Sequence, residues 1–457
     1  MTETIVPRSE GPVIRIDAVT SDGLAAALER SPAFVKGFAE LSDFKAKAGQ
    51  TLVVPGDDGR IGTVLFGLGD KPDAMTFRQL PAKLPAGDYQ IGQAPEGIAP
   101  DQIALAFAMG GYRFDRYKKK TDPKPRLVVE GADLSEIHAI AHACALARDM
   151  VNTPANDMGP RQIETIAREI AEQFGASISV VTGDALLEAN YPAVHAVGRA
   201  AHPERAPRMI EIEWGSSGPL VAIVGKGVVF DTGGLDLKPS SGMRLMKKDM
   251  GGAAHALALG RMVMAAKLPV RLVVLVPAVE NAVSGDAMRP GDVLSSRKGL
   301  TIEVGNTDAE GRLILADALA RAAELEPALT IDMATLTGAA RVALGPQVIP
   351  FYTADDELAG QIDAASRAHA DPLWRMPLWA GYDEAVDSDI ADIKNEPDAW
   401  AQAGSVTAAL FLQRFAPKPW VHLDIFAWNP KGRPGWPVGG EAQAIRALYA
   451  MLKARFA

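Results

Sequence analysis

Between Lys226 and Arg312 the chain concentrates residue types that can hold and polarise a reacting group. GKGVVFDTGGLDLK (225–238) supplies Lys226, Asp231 and Lys238. MKKDMGGAA (246–254) supplies Asp249, and NTDAEGRL (306–313) supplies Asp308, Glu310 and Arg312. Carboxylates gathered in one place repel one another unless cations neutralise them, and two divalent ions with one or two bridging carboxylates would do so. Two such ions can clamp both an attacking hydroxide and a substrate oxygen. The interleaved glycines let backbone approach the ions closely. A plainer reading uses the same residues. Asp and Glu at a helix start are commonly caps or solvated charges, and Lys226 and Lys238 taken singly are ordinary surface lysines. GKG is not a phosphate loop, because the GxxxxGK[ST] frame is absent. Spacing alone leaves a metal site and a set of caps both open.

The elements that must position these residues follow from the apolar pattern. Strands are predicted at Ser177–Val181, Met209–Ile212, Leu220–Val224, Leu272–Val276, Leu329–Met333 and Val421–Ile425. Helices are predicted at Ile163–Phe174, Ala253–Ala266 and Leu313–Leu325. Continuous apolar strands alternating with helices predict an α/β fold whose mostly parallel central sheet is flanked by helices. In such sheets ligands sit beyond the carboxyl ends of the strands. Each motif follows an apolar segment or opens a helix, so all can share one rim. Residues 1–132 read as a smaller N-terminal α/β domain, with strands at Thr51–Pro55, Thr63–Leu68 and Arg126–Val129 and a short helix at Gln102–Met109. Within 133–153, Ile137, Ile140, Ala141, Ala145 and Leu146 recur at helical spacing, and Thr153–Pro154 ends the run. This segment reads as a connecting helix, and 154–457 as the larger C-terminal catalytic domain. The charged stretch RFDRYKKKTDPKPR (113–126) reads as a solvated connection.

Composition bounds the alternatives. The 457 residues carry a formal charge of −9, which opposes bulk attraction to nucleic acid or anionic membrane. Cys144 is the single cysteine, so an intrachain disulfide and a zinc–thiolate cluster are both excluded, as suits a cytoplasmic protein. The polar N-terminus MTETIVPRSE has no apolar segment of a secretory signal. The apolar run Val270–Val279 is too short to span a membrane and contains Pro277, so no membrane association is expected.

The ordered motifs resemble a known family. NTDAEGRL looks like the signature octapeptide of the leucyl aminopeptidases (cytosol aminopeptidases, peptidase family M17). VGKG, FDTGG, LK, KDMGGAA and ATLTGA (334–339) follow that family's order and spacing. ARDMVNTPAND (147–157) resembles the start of its catalytic domain. The likeness is weakest over the N-terminal domain. It implies a metal-dependent enzyme that releases N-terminal residues from peptides. Asp231 and Glu310 match carboxylates that bridge two metal ions, Asp308 matches a ligand of one, and Asp249 and Lys226 match ligands of the other. A ligating amine must be neutral, so the resemblance implies a lowered pKa for Lys226 beside the cations. Lys238 resembles the lysine that polarises the scissile carbonyl. Arg312 resembles the arginine that holds a bicarbonate ion acting as general base. Met246, Asn306, Thr335, Leu336, Gly338 and Phe426 match the substrate site. A homohexamer of two trimers is also implied. The implied donor set of oxygens plus one amine suits Mn, Mg, Co or Zn, with Mn and Zn foremost. His255 lies inside an apolar helical segment and is not expected to ligate.

Some positions depart from the family's pattern. Thr232 replaces the serine of FDSGG and keeps a hydroxyl. WVHLDIFAWNP (420–430) replaces WAHLDIAG, which puts Phe426 where a small alanine lines the side-chain pocket and Asn429 near another pocket position. GRPGWPVGG (432–440) only approximates the GATGRPV-like element. Either Phe426 reshapes the pocket, giving a preference other than leucine, or it turns into the local core. A dinuclear phosphoesterase is disfavoured by the near absence of histidine from the cluster. A non-catalytic, DNA-binding role is disfavoured by the net acidity.

Overall fold

The structure, a computed structural model, describes residues 4–119, 124–131, 133–397 and 402–456. The chain forms two compact units, Met1–Ala145 with Lys431–Val438, and Leu146–Pro430 with Gly439–Ala457. The expected limits of 1–132, 133–153 and 154–457 differ from this division in two respects. The division falls inside the helix Ser135–Asn152, and residues 431–438 group with the first unit. Of the charged stretch 113–126, residues 120–123 lie outside the described residues.

The first unit is built on strands β1 (Ile5–Val6), β2 (Val13–Val19), β3 (Thr51–Pro55), β4 (Ile61–Gly67), β5 (Gly87–Gln93) and β6 (Pro125–Val128). They pair in the order β1-β6-β5-β2-β4-β3, and all pairs are parallel except β3 with β4. Val19, Val35, Phe44, Val54 and Leu65 form one of its apolar clusters, under the helices Leu24–Glu29 and Ala33–Leu41.

The second unit holds β7 (Ser177–Thr182), β8 (Arg208–Trp214), β9 (Leu220–Gly225), β10 (Gly227–Asp231) and β11 (Arg271–Asn281). It continues with β12 (Val293–Ser295), β13 (Thr301–Glu303), β14 (Leu329–Ala334), β15 (Ile349–Tyr352), β16 (Leu373–Arg375), β17 (Ile393–Lys394) and β18 (Trp420–Asp424). The main sheet runs β16-β15-β18-β14-β9-β11-β8-β7, with β10 also paired to β11. Its centre, β18-β14-β9-β11, is parallel, while β8, β7 and the β15–β18 pairing are antiparallel. The central strands are buried on both faces, as their unbroken apolar sequences require. Ala222 and Val224 pack with Leu313, Leu315 and Leu319 of the helix Glu310–Glu324. The helix Gly251–Ala265, apolar nearly all round, is buried against the sheet. A small sheet of β12, β13 and β17 stands beside the 306–312 segment and fixes its approach.

Candidate metal centre and substrate pocket

All the motifs end on the carboxyl edge of the parallel strands, where an open α/β sheet binds ligands. Lys226 sits where β9 bends into β10. Its N–H donates to the Met333 carbonyl of β14 (3.0 Å) and its carbonyl accepts from Ala253 N–H (2.8 Å), so strand and helix pin its backbone. Asp231 ends β10, and Asp249 lies in the turn Met246–Met250 that leads into the helix Gly251–Ala265. Glu310 is the first residue of its helix, with Asp308 two residues earlier. Thr335–Gly338 follow β14, and Phe426 follows β18.

The side chains converge. Lys226 Nζ lies 2.6 Å from Asp249 Oδ2 and 3.1 Å from Glu310 Oε1, and donates to the Thr335 carbonyl (3.1 Å). Lys238 Nζ lies 2.8 Å from Asp231 Oδ2 and 2.5 Å from Asp308 Oδ1. Oxygens of Asp231, Asp308 and Glu310 all fall within 4.8 Å of one another. A side chain on Gly311 would put its Cβ 2.4 Å from Lys226 Cε, so glycine there is what lets the lysine reach the cluster.

Two lysines are too few for four carboxylates. Burial favours the neutral form of Lys226, but the charges of Asp249, Glu310 and Asp231 outweigh it and hold the ammonium well above the usual lysine range. Lys238 behaves alike, with Asp231 and Asp308 outweighing burial. The lowered Lys226 pKa expected beside cations is thus reversed when protein groups alone surround it. Asp249 is buried too, yet the Lys226 charge holds its carboxyl below the ordinary range. Glu310 has no such surplus: burial, then the neighbouring Asp231, pushes it up to about 8. Asp308 is pushed up to about 6 for the same two reasons. Glu310 Oε2 is buried with no hydrogen-bond partner. An orphaned carboxylate oxygen inside a cluster with surplus negative charge fits a resident cation, and its hard oxygen donors with one amine suit divalent ions of the Mn–Zn type.

Arg312 is buried, and burial pushes its guanidinium down from the ordinary range. Its Nη1 donates to the Asn395 carbonyl (2.5 Å), while Nε has no partner. That leaves a buried donor for an anion. His255 is structural, as expected: Nδ1 faces the Gly251 carbonyl (2.6 Å) and Nε2 accepts from Gln443 N–H (3.0 Å).

Several positioning residues were not singled out from the sequence. Asn281 donates to Asp231 Oδ1 (2.8 Å) and to the Thr307 carbonyl (3.1 Å), so it fixes one carboxylate and ties two motifs together. Asn395 accepts from Gly305 N–H (2.8 Å) and donates to the Asn306 carbonyl (2.7 Å), locking the turn before Asp308. Asp424 accepts from Leu336 and Thr337 N–H (3.0 and 3.1 Å), Thr337 Oγ1 (2.6 Å) and Ser405 Oγ (2.9 Å), and so holds the loop after β14. Asp424 stands in WVHLD, and its place at a parallel strand's carboxyl end was the available signal. Asn281 and Asn395 have no local pattern that marks them.

A pocket of about 640 Å³ opens over the cluster. Met246, Asn306, Thr335, Leu336, Gly338 and Phe426 all line it, together with Lys226, Asp231, Lys238, Asp249, Asp308 and Arg312. Glu310 lies beneath, only 1% exposed. Phe426 is pocket wall rather than core. Ala427, which follows it, holds a left-handed φ of 56° while its N–H donates to Gln443 Oε1 (2.7 Å), and this turn presents the ring. Asn429 is not in the lining: it is buried in a short strand paired with Gly439. Lys248 also faces the pocket, and burial pushes its ammonium below the usual range.

Comparisons with known proteins identify the family. Residues 145–449 match the catalytic domain of the cytosol aminopeptidase family, and 14–130 match the M17 aminopeptidase N-terminal domain. A relative from Syntrophotalea carbinolica, named "Probable cytosol aminopeptidase", is 42% identical over 388 residues, covering 79% of this chain and 77% of its own. The crystal structure of a cytosol aminopeptidase from Coxiella burnetii is 41% identical with a TM-score of 0.95, over 99% of this chain and 100% of that one. The bottromycin maturation enzyme BotP in complex with Mn is 34% identical with a TM-score of 0.87, over 97% and 99% of the two chains. Fold and site define a metallopeptidase of the two-domain α/β kind. The chain belongs to the cytosol aminopeptidase family and is a metal-dependent aminopeptidase acting on peptides. Among the described residues no helix is long and apolar enough to cross a membrane.

Proposed function

We propose that the enzyme releases N-terminal amino acids using two divalent metal ions, held by Lys226, Asp231, Asp249, Asp308 and Glu310. The observation that carries this reading is the orphaned Glu310 Oε2 inside the Asp231–Asp308–Glu310 cluster. When bound, the ions supply Lewis-acid polarisation and a water acidic enough to attack at neutral pH. The protein's own groups do the rest. A substrate's free, neutral α-amine could serve as a ligand at this centre, which a blocked N-terminus could not; this would account for exopeptidase action. Lys238, gripped by Asp231 and Asp308, presents its ammonium to the scissile carbonyl oxygen and stabilises charge developing there. Arg312, its Nη1 tethered to Asn395 and its Nε free, is suited to hold a bicarbonate ion as the site's general base. Met246, Asn306, Thr335, Leu336, Gly338 and Phe426 shape the substrate pocket.

Manganese is favoured by BotP, a relative solved with Mn, while the donor set of carboxylates with one amine accommodates Mn, Mg, Co and Zn alike. A cytoplasmic location rests on the names of the relatives, and a homohexamer on the resemblance. The test is hydrolysis of aminoacyl-amides by metal-stripped enzyme with Mn or Zn added back, alongside Glu310→Ala. Activity restored only by metal, and lost in Glu310→Ala, is expected; full activity in that variant overturns the reading.

A further inference from the structure

One cation in the pocket is unused by the chemistry above. Lys248 adjoins Asp249, is only 8% exposed and lines the pocket. Among the described residues it makes no ion pair or side-chain hydrogen bond. Its close neighbour is the Phe426 ring, whose centroid lies 5.3 Å from Nζ. The same ring carries a second cation: Arg341 Cζ, on the helix Gly338–Leu344, sits 5.1 Å from the centroid and likewise has no carboxylate partner among the described residues. Phe426 therefore carries two positive charges over its ring, neither in an ion pair among the described residues.

A nine-tenths-buried ammonium with no carboxylate in ion-pair contact is costly to fold, and a ring quadrupole and more distant acids compensate only part of that cost. Such a group persists where a ligand supplies the missing charge. Position says which part of the ligand does so. Met246, Lys248 and Phe426 line the pocket over the cluster, and Asp249 of the same turn lies 2.6 Å from Lys226 Nζ, so the side chain of an N-terminal residue whose amine reaches the cluster can meet this wall. The second residue of the peptide, by contrast, must lead away from the buried cluster toward the pocket's opening.

We infer that Lys248, with Arg341, forms a subsite for a carboxylate on the N-terminal side chain, making this enzyme an aminopeptidase for acidic N-terminal residues, glutamate and aspartate. Phe426 holds both cations against its ring and packs on the side-chain methylenes. This inference rests on the aminopeptidase reading and names its substrate class.

The test compares kcat/KM of the metal-loaded enzyme on Glu-, Asp-, Gln-, Leu- and Met-p-nitroanilides. Wild type is expected to favour Glu over its isostere Gln by about 10- to 100-fold, the range of one charge-assisted hydrogen bond withdrawn. Lys248→Met should lose that margin on Glu while Leu and Met hydrolysis changes by less than about threefold, which also shows the variant folded. Arg341→Met, on an exposed helix residue, should lose a smaller part. Hydrolysis of Leu or Met with no advantage of Glu over Gln overturns the inference and leaves the aminopeptidase reading standing. Inactivity on every anilide with either metal overturns both. A Lys248→Met defect seen on Leu-Gly but absent from Leu-Gly-amide and Glu-anilide assigns the cations to a peptide's C-terminal carboxylate and also overturns it.

Discussion

Two kinds of buried carboxylate coexist in the catalytic unit. Asp371 accepts from the N–H groups of Ala444, Arg446 and Ala447 (3.1, 3.1 and 3.2 Å) and pairs with Arg446 at 3.3 Å. It closes the start of the helix Ile445–Phe456, whose dipole welcomes the charge. Asp424 is likewise surrounded by donors. Glu310 is as deeply buried but faces other carboxylates, and one of its oxygens has no partner. Burial alone therefore does not mark function. An acid whose lone pairs are filled by main-chain donors holds the fold, and an acid left short of positive charge is waiting for a ligand.

That contrast can be broken by exchange of roles. Glu310→Ala should lower kcat at least about a thousandfold, the cost of dismantling a metal centre, without lowering the thermal midpoint of the metal-stripped protein. A stripped variant less stable than wild type would place Glu310 with the structural acids. Asp371→Ala should do the reverse. Denaturant titration should give a loss of about 3 kcal/mol or more, since three N–H donors and a buried arginine lose their acceptor. Activity per folded molecule should stay near wild type. Lys238→Met should reduce kcat about a hundredfold with little change in KM, because its charge is felt mainly as the oxyanion develops. A change in KM alone would make it a binding residue.

The contrast also has a pH signature. Glu310 rises from an ordinary 4.5 to about 8 on folding. A raised pKa contributes stability that is complete below the unfolded value and is lost as pH climbs through the folded one. Metal-stripped enzyme should accordingly lose thermal midpoint between roughly pH 4.5 and 8, and Glu310→Gln should flatten that slope. Excess metal should restore stability at the alkaline end. Phe426→Ala should have the smallest effect, a few-fold redistribution of kcat/KM among side chains with chemistry intact. Identical profiles for wild type and Phe426→Ala would remove the ring from specificity.

The sequence reveals most where chemistry is local. NTDAEGRL, KDMGGAA and FDTGG each carry their reactive residues within a few positions, and the apolar runs before them read directly as buried parallel strands. The second unit's main sheet is built as those runs predict, including β9, β14 and β18. What escapes is non-local. Asn281 lies fifty residues from the Asp231 it orients, and Asn395 lies 89 from the Asn306 it braces. The antiparallel edge of β15 is short and gives no alternating pattern. The grouping of Lys431–Val438 with the first unit depends on tertiary packing that no local signal encodes. Phe426 shows a further limit: the residue is conspicuous in the sequence, but its facing the pocket depends on the left-handed turn at Ala427 and the glutamine that holds it.

The backbone junction beneath Lys226 has a consequence for how such an enzyme can change. A Cβ on Gly252 would lie 2.1 Å from the Met333 carbonyl oxygen and 2.7 Å from Lys226 N, so strand and helix meet there with no room for any side chain. The base of the centre is main chain against main chain, and natural variation has almost no handle on it. The wall formed by Met246, Phe426 and Arg341 is all replaceable side chain. A substitution can therefore reshape what the wall accepts, while the base that carries Lys226 tolerates none.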